Sequence, residues 1–225
     1  MSVNKETYQQ IKAELDSKKI TLVAVSKTKP VEDILELYNL GQRGFGENYV
    51  QELVDKAAQL PKDIRWHFIG HLQTNKVKLI APFVQLIHGV DSLKLLKEID
   101  KEGEKNNRVI DCLLQVHIAQ EETKFGFNEE ELNLTISQFG DLKMKNARIC
   151  GLMGMASFTE NMNMVREEFK KLKEIFNHYT ELVTRNSKLA TLSMGMSSDY
   201  TIAIEVGSTM VRIGSLLFGE RDGKQ

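Results

Sequence analysis

Short apolar runs alternate with longer amphipathic stretches along the chain, and this alternation constrains the fold more than any single motif does. Strand-type runs lie at Thr21–Ser26, around Gly44–Gly46, and at Arg65–Ile69, Val84–His88, Asp111–Ile118, Ala147–Met153, Thr191–Met194 and Thr209–Ser215. Helical periodicity fills 31–41, 48–59, 74–82, 92–105, 128–139, 161–186 and 198–206, and a further helix is predicted over 3–17. Every strand but the last is followed by a helix, and no linker rich in Pro, Gly or Ser interrupts the series. Strict alternation implies a parallel sheet with helices covering its apolar strands. Eight such units in 225 residues predict one α/β domain over 1–225: a single (β/α)8 TIM barrel with an extra N-terminal helix. An open doubly wound sheet is the alternative. Its first turn would carry G-x-G-x-x-G, whereas the glycines of "GQRGFGEN" precede and occupy a strand.

A net charge of -1 argues against general binding to nucleic acid or anionic membranes. The polar start "MSVNKETYQQIKAELDSKK" lacks the apolar core of a secretory signal, and no apolar run approaches the roughly 20 residues of a membrane helix. Cys112 and Cys150 each lie in an apolar run, outside any metal-binding spacing, and read as buried reduced thiols. These features predict a cytoplasmic protein.

In a barrel of this kind, chemistry sits at the C-terminal strand ends. Strand 1 ends in Lys27, strand 2 in Asn48 and strand 3 in His71. Strand 5 runs toward Lys124, strand 7 ends in "SMGMSS", and strand 8 carries "RIGS". Gly and Ser after strands 7 and 8 suit a phosphate cradle, with Ser197, Gly214 and Ser215 as its members. Lys27, read as lying a barrel's width away, would suit the aldehyde of a phosphate ester such as pyridoxal 5′-phosphate. Plain readings stand beside these: a lysine after a strand is often a solvated end residue, and Gly-Ser often an ordinary turn. Arg212 is harder to dismiss, because an arginine inside "TMVRIGSLLFG" must be paired or bind something.

The stretches "AVSKTKP", "GFGENYVQE", "WHFIGHLQTNK", "GLMGM", "LSMGMSSDY" and "VRIGSLLFGER" together resemble the pyridoxal phosphate homeostasis protein family. These are single-domain relatives of the N-terminal barrel of alanine racemases. The resemblance spans about residues 20–221 and implies that Lys27 carries pyridoxal 5′-phosphate as a Schiff base. It implies that Ser197, Gly214 and Ser215 hold the phosphate, and that Arg212 faces the pyridine nitrogen. Asn48, Met194 and Met196 would lie beside the ring, and Lys29 and Lys124 near the mouth; His71 receives no role.

Two functions stay open at this point: a cofactor-buffering or delivery protein without robust turnover, and a small racemase-like enzyme. Arg212 disfavours carbanion chemistry by keeping the ring nitrogen unprotonated. Racemisation would also need a second base opposite Lys27, which alanine racemases take from a second domain; Tyr49 and His71 are the local candidates. Ser215 lies ten residues before Gln225, so that domain is expected to be absent. Its absence predicts a monomer; apo-enzymes are the candidate recipients of the cofactor. A barrel enzyme acting on another phosphorylated metabolite is the third reading.

Overall fold

Eight parallel strands pair in sequence order and close on themselves in the computed structural model, which describes residues 3–121, 125–142, 144–182 and 189–219. The strands are β1 (Thr21–Val25), β2 (Gly44–Glu47), β3 (Arg65–Phe68), β4 (Leu86–Val90), β5 (Ile110–Gln115), β6 (Ala147–Met153), β7 (Thr191–Ser193) and β8 (Met210–Ile213). Around them lie α1 (Lys5–Ser17), α2 (Val31–Asn39), α3 (Val50–Gln59), α4 (Val77–Ile80), α5 (Leu93–Lys105), α6 (Glu129–Asp141), α7 (Met162–Leu182), α8 (Tyr200–Val206) and α9 (Ser215–Phe218). The barrel and its N-terminal helix are thus as the alternation predicts.

Several boundaries differ, each for a local reason. β4 begins two residues later than its apolar run, because the Val84 amide still bonds to Ile80 O at 2.8 Å. The predicted helix over 74–82 divides into a 3-10 turn, Thr74–Lys76, and the single turn of α4. β5 stops at Gln115, and β8 stops at Ile213, where Gly214 starts the unpredicted α9.

Side chains alternate across each strand, so one parity faces the helices and the other fills the barrel. The outer parity joins the helices in one large core, with Leu22, Phe45, Trp66, Ile87, Leu114 and Leu192 among its members. The inner parity forms a smaller apolar cluster of Val23, Leu86, Leu113, Met153 and Met210. Polar residues of the same parity share that interior: His67, His88, Ser193 and Arg212, all buried.

Side-chain caps fix the starts of α1, α5 and α6. Asn128 and Glu131 form a reciprocal capping box on α6, and Ser92 accepts the Leu95 amide on α5. The Asn4 amide donates to Leu217 O at 2.8 Å, so the extra N-terminal helix buttresses α9.

Candidate functional site

A cavity of about 650 Å³ opens at the C-terminal ends of the strands. Its wall includes Lys27, Asn48, Met196, Ser197, Arg212, Gly214 and Ser215, together with Lys29 and His71.

The Lys27 turn is held from outside the barrel. Ser26 donates its amide to Gly46 O and accepts the Lys29 amide, both at 3.0 Å. Lys56, buried on α3, donates to Ser26 O at 2.7 Å, to Glu47 Oε1 at 2.8 Å and to Glu52 Oε1 at 2.7 Å. The Ser26 hydroxyl donates to the same Glu47 oxygen at 2.6 Å, and Glu52 accepts the Thr28 amide at 2.6 Å. Thr28 needs that hold, since its φ of 64° lies in the left-handed region, where β-branched residues are strained. Burial pushes the Glu47 carboxyl above its ordinary pKa, and the Lys56 charge opposes the shift.

Two tight turns build the neighbouring wall. After β7 the amides of Asp199 and Tyr200 return to Met196 O, and after β8 those of Leu217 and Phe218 return to Gly214 O. The first amides of each turn, at Ser197–Ser198 and Ser215–Leu216, precede those bonds, and all four residues line the cavity. Ser197 Oγ accepts the Gly214 amide at 3.2 Å and couples the two turns. Gly195 is needed here: its φ is 101°, and a Cβ would lie 2.6 Å from the Ala203 side chain.

Arg212 is 4% exposed. It donates through Nη1 to Ser193 Oγ at 2.6 Å and through Nη2 to Gly154 O at 3.1 Å. Burial brings its pKa down to about 10, and nearby Asp199 opposes the shift, so the guanidinium stays charged at neutral pH. Its five N–H groups exceed those two bonds, leaving donors for the cavity it lines.

Closure corrects one expectation. β8 is hydrogen-bonded to β1, with Ile213 opposite Ala24, so Lys27 and the two turns are neighbours rather than a barrel's width apart. Met194 is a second correction. It is fully buried in the outer core, away from the cavity, because its parity is opposite to that of Ser193. Lys29 donates to Phe218 O at 2.8 Å and joins the Lys27 turn to α9. Tyr49 is 61% exposed and does not line the cavity, and Lys124 falls outside the described residues. Cys112 is buried as expected, but Cys150 is only half-buried, in a second opening of about 530 Å³ at the opposite end of the barrel.

The rim contains residues that no motif announces. Phe125 stacks on His71 with ring centroids 4.1 Å apart, and His71 Nδ1 lies 3.0 Å from Asp91 Oδ2. Phe158 is 94% exposed at the mouth. Gln115, a polar residue inside the apolar run "CLLQV", donates to Phe125 O at 2.8 Å; its polarity in that run was a readable signal.

An amine, two turns with leading amides and a buried guanidinium thus meet at the mouth of one (β/α)8 barrel, a set that suits a small anionic ligand. The family profile "Alanine racemase, N-terminal domain" matches residues 4–222. A "Pyridoxal phosphate homeostasis protein" of Aquifex aeolicus is 46% identical over 201 residues, covering 89% of this chain and 86% of its own. The human protein of the same name is 40% identical over 211 residues, covering 89% and 76%. PipY of Synechococcus elongatus, solved with PLP bound, superposes with a TM-score of 0.83 at 33% identity, over 92% of this chain and 97% of its own. The chain belongs to the pyridoxal phosphate homeostasis protein family, within the alanine racemase N-terminal domain group.

Proposed function

We propose that this protein binds pyridoxal 5′-phosphate at the C-terminal mouth of the barrel and acts in cofactor homeostasis, storing, buffering or delivering it. The observation that carries this reading is the convergence of Lys27, the turns at Ser197 and Gly214–Ser215, and Arg212 on one cavity. The names of the Aquifex and human relatives, and the PLP held by PipY, support it.

The residues fit the group. Lys27 would hold the aldehyde, while Ser197, Ser215 and the first amides of the two turns, which Gly214 joins through its bond to Ser197, would hold the phosphate. Asn48 and Met196 would flank the ring, and Arg212 would donate to the ring nitrogen. Lys29 spans the Lys27 turn and α9, keeping amine and cradle in register.

Pyridoxal phosphate supplies an aldehyde for amines and a ring that accepts electrons when its nitrogen is protonated. Arg212 remains charged and can only donate, so it withholds a proton from that nitrogen. The chain therefore favours retention of the cofactor over reactions at an amino-acid α-carbon. In this reading the protein works in the cytoplasm as a monomer and passes cofactor to apo-enzymes. No helix among the described residues is long and apolar enough to cross a membrane.

One observation keeps the racemase-like alternative testable: His71, bonded to Asp91, lines the cavity and could serve as a second base. The deciding experiment times cofactor transfer from loaded protein to an apo-enzyme with an aldehyde trap present. Transfer that outruns trapping supports delivery. Transfer no faster than free release, together with rapid α-hydrogen exchange of L-alanine in deuterated water, would favour the enzyme.

A further inference from the structure

A continuous hydrogen-bonded column runs through the barrel interior below the cavity. Arg212 Nη1 donates to Ser193 Oγ at 2.6 Å, Ser193 Oγ lies 3.2 Å from His88 Nδ1, and His88 Nε2 lies 3.0 Å from His67 Nδ1. The two imidazoles meet edge to face, with centroids 5.2 Å apart. All four residues are buried. Arg212 lines the upper cavity and His67 the lower opening, so the column connects the two ends of the barrel.

Beside it the interior holds the apolar cluster of Val23, Leu86, Leu113, Met153 and Met210. Stability alone would favour apolar filling, because a buried polar group is costly unless every member of its network is satisfied. One arrangement of protons satisfies every member of this column, the Ser193 hydroxyl included. A guanidinium has no acceptor, so Ser193 Oγ must accept from Arg212. In that arrangement the serine proton goes to His88 Nδ1, which carries a lone pair. His88 therefore bears its proton on Nε2 and donates it to His67 Nδ1. His67 in turn bears its proton on Nε2, at the lower opening. Both rings must be neutral for this order to hold. Burial first, and nearby positive charge second, press His67 down to about 3 and His88 well below the ordinary histidine value.

We propose that His88 and His67 are positioning residues. Fixed as neutral Nε2–H tautomers, they take up the Ser193 proton, leave that hydroxyl as a pure acceptor for Arg212, and so lock the plane of the guanidinium against the cofactor ring. The proposal rests on the reading that Arg212 faces the ring nitrogen. Removing the His88 acceptor frees the Ser193 hydroxyl to rotate and frees Arg212 to tilt.

The test has one arm that needs no cofactor. Long-range nitrogen–proton NMR of the full chain, with histidine nitrogens labelled, should show both rings as Nε2–H tautomers between about pH 5 and 8. An Nδ1–H or doubly protonated His88 overturns the proposal, whatever the cofactor does. The second arm loads pyridoxal 5′-phosphate into His88→Leu, which lacks an acceptor, and His88→Gln, which keeps one. His88→Leu should shift the visible absorption band and its pH response and release cofactor roughly tenfold faster, as expected for one weakened charge-assisted hydrogen bond. His88→Gln should restore both. If His88→Leu folds, with a cooperative melt, and matches the wild type in spectrum and release, the proposal is wrong. Arg212→Lys, run alongside, separates the causes. A changed Arg212→Lys spectrum with an unchanged His88→Leu spectrum refutes positioning alone. Two unchanged spectra refute the placement of Arg212 as well.

Discussion

Lys56 Nζ donates to the carbonyl oxygen of Ser26 at 2.7 Å, so an ammonium buried on α3 fastens the residue that precedes Lys27. The same ammonium neutralises Glu47, whose second oxygen has no hydrogen-bond partner. The Lys27 turn thus depends on a charged cluster outside the barrel as well as on its own strand.

Removing Lys56 should therefore harm both stability and cofactor binding. Lys56→Met strands the fully buried Glu47 carboxylate and is expected to cost about 3–5 kcal/mol. It should also raise the Kd for pyridoxal phosphate, since Ser26 loses its anchor and Glu52, which holds Thr28, loses its ion-pair partner. Urea unfolding and equilibrium dialysis check the two effects. A stability loss with unchanged affinity would show that the cluster does not hold the Lys27 turn.

Gly70 lies where the backbone leaves no room. A Cβ there would sit 2.3 Å from Asn48 O and 2.9 Å from Asn48 Cα. Gly70→Ala must push Asn48 away from the cavity, at an expected cost of about 1–3 kcal/mol of stability and with weaker loading. Denaturant titration and fluorescence-monitored binding measure both.

Acid should destabilise the fold through its interior histidines. An unfolded histidine binds a proton near pH 6.5, whereas His67 in the barrel does so only at about 3. The unfolded state thus holds more protons in this window, and stability falls as pH drops from about 6.5 toward 3, with a slope approaching ~1.4 kcal/mol per pH unit for one histidine. Unfolding free energies at about pH 7.5 and about pH 5 should differ accordingly, and His67→Gln should show a shallower slope.

Reversing the charge at Arg212 should change the chemistry. Arg212→Glu replaces a donor with an acceptor that favours a protonated ring nitrogen. The loaded variant is expected to shift its visible spectrum and to accelerate α-hydrogen exchange of L-alanine in deuterated water above the wild-type rate. Unchanged spectrum and affinity would show that Arg212 does not face the ring.

The sequence conveyed the barrel well because period-two strands and period-3.6 helices are local signals; β6 falls at Ala147–Met153, as its apolar run indicates. The strand-end rule then gathered Lys27, Asn48, Ser197, Arg212, Gly214 and Ser215 into one cavity. Met194 was placed beside the ring by the family resemblance, whereas strand parity assigns it to the face opposite Ser193. The separation of Lys27 from the turns after β7 and β8 was misjudged because closure, a long-range property, brings β8 beside β1. α9, four residues long, is too short to show a period. The His67–His88 contact joins residues 21 apart through a strand pairing, and nothing linear in the chain reports it.

The claim at the centre of this account is that Lys27 bonds the cofactor. Borohydride reduction of protein loaded with pyridoxal 5′-phosphate, followed by digestion and mass spectrometry, fixes the attached lysine permanently. The account predicts one pyridoxyl phosphate adduct, on the peptide containing Lys27, and its loss together with the visible absorption in Lys27→Ala. An adduct mainly on Lys29 or Lys124, or an unchanged spectrum in Lys27→Ala, would contradict it.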